Sequence, residues 1–128
     1  MFLPVLAAAS MLFAAAPDTA LAYAEALARA QKYEKDARAQ MYRLNQLYPP
    51  LGKAMPAIFE ACAPGEVATG RPDFTVVLSF KGGAFEAVRN TSDHPIALCV
   101  AGRMAALKYA PPPYPDFAEE IHLKMGGE

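Results

Sequence analysis

The chain has 128 residues, with 12 lysines and arginines against 13 aspartates and glutamates, 54% hydrophobic residues and two cysteines. Charges of both signs are interspersed along it, which argues against a phosphate-tracking nucleic-acid binder, since that function gathers basic side chains on one face. The length suits one small domain whose modest core a single disulfide would reinforce.

Residues 2–16 carry only Pro4 and Ser10 besides apolar side chains, and Ala20 and Ala22 supply small residues before a cleavage point. Residues 1–22 therefore read as a secretory signal peptide released at Tyr23, its apolar run over 2–16 being shorter than the roughly 20 residues a spanning helix wants. No lysine or arginine precedes Arg29, and an uncleaved leader anchoring the protein in the inner membrane is the alternative. Cleavage leaves a nearly neutral chain of about 106 residues, expected in the periplasm or secreted, with no stable membrane insertion. In an oxidising compartment Cys62 and Cys99 are expected to form a structural disulfide. A redox-active pair, or two free or metal-linked thiols, are the other readings.

Residues 23–50 form an N-terminal helical segment and residues 51–128 an α+β domain. The stretch 20–48 is rich in alanine and free of glycine and proline, which predicts one long helix stopped at Pro49-Pro50. Pro17-Asp18-Thr19 could cap its start in the precursor. Leu27, Ala30, Ala37, Met41, Leu44 and Tyr48 give it a narrow apolar stripe, for packing on its own domain or on a partner. Lys53 to Cys62 reads as a short helix with Pro56 in its first turn, and Ala63 to Pro72 as a loop. From Asp73 the period becomes two. Phe74, Val76, Leu78 and Phe80 alternate with Thr75, Val77 and Ser79, as in a strand covered on one face. Lys81-Gly82-Gly83 then makes a hairpin turn into a second strand, Ala84 to Arg89.

Ser92 or Asp93 can cap the next helix, with Pro95 in its first turn and Ile96, Cys99, Val100, Met104 and Leu107 facing the sheet. Pro111 to Pro113 form a stiff extended spacer. Phe117, Glu119, Ile121, Leu123 and Met125 alternate with Ala118, Glu120, His122 and Lys124, a third strand with one mostly apolar and one charged face. The fold class is therefore α+β: a long N-terminal helix, a short helix and a β-β-α-β unit, with helices on one face of a three-stranded antiparallel sheet.

Residues 54–125 resemble the C-terminal domain of TonB and its relatives, especially the disulfide-bearing branch of gliding-motility and related envelope proteins. The resemblance rests on Cys62, the hairpin VVLSFKGGAFEAVRNTS, the run HPIALCVAGRMAALKYAPPP and the closing strand. Tyr109-Ala110 stands where that family has an aromatic pair, and the Gly82-Gly83 turn lacks its aspartate. The resemblance implies that Cys62 and Cys99 pair, and that an exposed strand edge takes up an extended partner segment. It also implies that this edge is the last strand, so that Phe117, Glu120, Ile121, His122, Leu123 and Lys124 form the candidate binding site. The opposing reading makes Glu119, Glu120 and Lys124 gatekeeper charges that prevent association.

Catalytic chemistry is not legible. His94 and His122 lack neighbours at metal-ligand spacing, Ser79 falls in a strand and Ser92 at a cap, and Glu119 and Glu120 point to opposite faces. No cofactor or metal is expected. The function expected is a non-enzymatic binding or accessory module of the envelope whose partner is a protein or peptide segment, or a second copy of the chain. The alternative is a small periplasmic enzyme, thiol-dependent, with an unmarked site.

Overall fold

The computed structural model describes residues 20–64 and 71–125. The leader through residue 19, its Asp18-Thr19 cap and most of the loop after Cys62 lie outside the described residues. Residues 20–32 are helical (α1). They are followed by α2 (Ala37–Tyr42), a π-turn (Arg43–Leu47), α3 (Tyr48–Cys62), β1 (Asp73–Lys81), β2 (Ala84–Asn90), α4 (Pro95–Ala105) and β3 (Ala118–Lys124). The class is α+β, with one antiparallel sheet in the order β2-β1-β3.

The single helix expected over 20–48 is broken elsewhere than expected. It stops before Asp36, whose extended backbone and carboxylate, accepting from the Ala39 amide, restart a helix as its N-cap. Pro49-Pro50 does not stop that second helix. The two prolines occupy the first turn of α3, where proline's missing amide hydrogen costs little, and the π-turn before them leads the chain in. Pro56 lies inside α3 instead of opening it, with its i−4 carbonyl on the solvent-exposed Gly52. The break also resets the helical phase. Beyond it Ala39, Tyr42, Arg43 and Leu47 are buried, whereas Met41 and Leu44 of the expected stripe are 60% and 53% exposed.

The strands form where the alternation places them, and the hairpin turns at Gly82 (φ 61°) and Gly83 (φ 82°), left-handed values that favour glycine. A bulge between Ser79 and Phe80 shifts the β1–β2 register. The cap of α4 is His94, whose Nδ1 accepts from the Ile96 amide, while Ser92 Oγ accepts from the His94 amide one step earlier.

Helices cover both faces of the sheet, not one. Phe74, Val76, Leu78 and Phe80 pack with Tyr42, Leu47, Val100, Met104 and Phe117 in the main core, beneath α2, α3 and α4. On the opposite face Val77 meets Ala26 and Ala30 of α1 and Ala118 of β3, so β1 is buried on both sides at its centre. Cys62 and Cys99 are joined in a disulfide, Cα to Cα 5.6 Å, tying the end of α3 to α4. Among the described residues no helix is long and apolar enough to cross a membrane.

Candidate functional site

To pass from one face of the sheet to the other, the chain between α1 and α2 rounds the start of β3. Tyr33 stacks on Tyr114 with ring centroids 4.6 Å apart, and its hydroxyl donates to the Asp116 carboxylate; the Tyr114 hydroxyl donates to Asp36 at 2.8 Å. These bonds hold both carboxyls below the usual aspartate range. For Asp116 the Tyr33 hydroxyl is the main cause and Lys32 adds to it, and for Asp36 the Ala39 amide comes first and the Tyr114 hydroxyl second.

Beneath the crossover sits a buried ion pair. Arg43 Nε donates to Glu119 Oε1 at 2.6 Å, and the two residues are 5% and 6% exposed. The guanidinium also donates to the Tyr33 carbonyl at 2.7 Å and to Gln40 Oε1 at 3.0 Å. The Tyr48 hydroxyl donates to the other Glu119 oxygen, and burial, helped by that carboxylate, raises the phenol's pKa. The π-turn explains how one helix supplies both donors. Residues five apart stand about 140° apart around a regular α-helix. Here the Tyr48 amide bonds the Arg43 carbonyl, and the widened turn brings both side chains to the same carboxylate. Glu119 is thus a core residue with both oxygens satisfied, and not an exposed gatekeeper.

A cleft of about 280 Å³ opens beside this pair, walled by Ala30, Gln31 and Glu34 on one side and Gln40, Arg43 and Tyr48 on the other. Glu119, Glu120 and His122 form its floor, so the floor is the outer edge of β3. The direction of the backbone follows from one bond. The Phe80 amide donates to the Phe117 carbonyl at 3.0 Å, and 80 and 117 continue the register that pairs Val76 with Ile121 and Phe74 with Leu123. Alternation in an antiparallel ladder then turns the amides and carbonyls of Glu119, Ile121 and Leu123 toward β1, and those of Glu120, His122 and Lys124 outward.

The candidate residues fall into two groups. Phe117 and Leu123 are buried in the main core, and Ile121 is partly covered on that same face. Glu120, His122 and Lys124 lie on the α1 side, with the His122 side chain 68% exposed. His122 Nδ1 is 2.8 Å from Thr75 Oγ1, and its Nε2 is 3.6 Å from Glu120. His122 is open to water there, so these interactions are screened. Both cysteines are spent in the bridge, and the described residues hold no group of three metal-ligating side chains.

Arg43 and the cleft escaped the sequence reading, and Tyr48 entered it only as the last member of an apolar stripe. The available signal was Glu119 itself, a carboxylate on the apolar face of β3 that had to find a cation. No family model matches the chain, and no curated protein or solved structure is significantly similar to it.

Proposed function

We propose that the protein is a non-enzymatic binding module of the cell envelope that takes an extended peptide segment by strand addition along β3. The observation that carries this reading is the outward set of backbone groups at Glu120, His122 and Lys124, on an edge strand that floors a cleft. The edge offers main-chain hydrogen bonds, and the cleft walls offer selection of alternate side chains. The resemblance of residues 54–125 to the TonB C-terminal domain supports the same mode. The Cys62–Cys99 bridge fits an oxidising compartment, and with the apolar leader it supports a periplasmic or secreted location.

Selection of a random-peptide library on the immobilised protein, followed by amide-shift mapping of a recovered peptide, tests the reading. Shifts should concentrate at Glu120, His122 and Lys124, and His122→Pro should abolish binding without unfolding the protein. Peptides that map to α2 or α4, or that bind His122→Pro as well as the parent, would overturn it.

A further inference from the structure

Resting on the strand-addition reading, we infer that the edge takes a second copy of the same chain, β3 against β3 in antiparallel register about a two-fold axis at His122. The residues around that axis are self-complementary. Glu120 and Lys124 stand two positions either side of His122, carry opposite charges and point their backbones outward. In this register Glu120 lies opposite Lys124 of the second copy, and each such pair exchanges both backbone hydrogen bonds. His122 faces its own counterpart. On the other face Ile121, which is partly exposed, comes opposite Leu123 of the second copy.

Competing registers that keep outward groups facing outward groups are poorer. Centring on Glu120 or on Lys124 sets like charges against each other, which destabilises a cross-strand pair. Centring on Ile121 places Glu120 opposite His122 and leaves Lys124 opposite the buried methyl of Ala118, and centring on Leu123 sets Lys124 against His122 and leaves Glu120 with no lysine opposite. The cleft adds to the preference. Glu34 and Glu120 line it, and the one guanidinium in its lining, Arg43, is already spent on Glu119, so the incoming Lys124 meets an acidic rim. Within its own sheet Lys124 faces Asp73 across the ladder, so the lysine of each copy lies between two acids. The charges that would guard an edge against foreign strands thus select this one, and the product is a continuous six-stranded sheet in the order β2-β1-β3-β3-β1-β2.

Sedimentation of the purified protein between roughly 10 µM and 1 mM, the range expected of a small interface, should show a monomer–dimer equilibrium. Glu120→Lys and Lys124→Glu should each weaken it about tenfold or more, and the double swap should restore it to within about threefold of the parent. Should a variant not fold, the unmodified protein still decides: concentration-dependent amide shifts should centre on Glu120, His122 and Lys124. A monomer throughout that range, a dimer indifferent to both swaps, sensitivity to Glu120→Lys alone, or shifts centred on Met41 and Leu44 would each overturn the inference. A monomeric protein that still binds a library peptide along β3 would retire self-pairing while leaving the proposed function standing. Peptides bound elsewhere would retire that function instead.

Discussion

Arg43 and Glu119 lie 76 residues apart in sequence and meet at 2.6 Å under the crossover, each almost sealed from water. A buried pair of this kind adds little over a well-packed apolar substitute, but the loss of one member leaves a charge stranded. Arg43→Met or Glu119→Leu alone should cost about 3–5 kcal/mol, while the double variant should recover much of that loss. Urea unfolding of the four proteins in a double-mutant cycle gives the coupling directly. Additive single effects would contradict the pairing.

The disulfide joins positions 37 apart in sequence. Loop-entropy arguments put its stabilisation at roughly 3–4 kcal/mol, a large share for a domain of this size. Cys62→Ser/Cys99→Ser should therefore show a much lower denaturant midpoint, with a steeper slope because the unfolded chain is no longer cross-linked. A variant melting within about 2 °C of the parent would show the bridge to be energetically idle.

Neighbouring residues of β3 should respond oppositely to proline. Ile121 turns its amide toward Val76, so Ile121→Pro breaks the ladder and should unfold the sheet. His122 turns its amide outward, and His122→Pro should keep the far-ultraviolet circular dichroism and lose no more than about 1 kcal/mol. Equal damage from both substitutions would mean that the edge is not open.

The folded-state pKa values of Asp36 and Asp116 are depressed. The stability they contribute is present above the unfolded aspartate value of about 3.9 and is lost as the pH falls through the lower folded values. Acidification from pH 5 to about pH 2 should therefore lower Tm, and Asp36→Asn/Asp116→Asn should flatten that dependence. An unchanged acid slope in the double variant would show that the two bonds do not hold the crossover.

The hairpin, the third strand and its apolar face, and the helix bearing Cys99 were legible because alternation, paired glycines and helical spacing are local signals. The long helix misled because Asp36 looks like any other charge on a solvated helix, whereas its capping role goes with an extended backbone beside the docked Tyr33, which stacks on Tyr114 and bonds Asp116. Pro49-Pro50 misled for the converse reason, since a proline pair can open a helical turn as readily as end one. The cleft was illegible because its walls come from α1 and α2–α3, brought to the β3 edge by a crossover that no local pattern encodes.

The two layers over the sheet are held very unequally. Beneath α2, α3 and α4 lie interlocked aromatic rings and a covalent bridge. Under α1 the buried contact is made by Ala26 and Ala30 on Val77 and Ala118, with Tyr23 and Leu27 only partly buried beside it and Arg29 donating to the Phe80 carbonyl and pairing with Glu86. Single methyl groups bury little area and contribute correspondingly little. On this ground the α1 layer should open at a lower free energy than the bridged half, baring Val77. A strand added along β3 as proposed would meet, at Glu120 and His122, the flank whose cover should yield most readily.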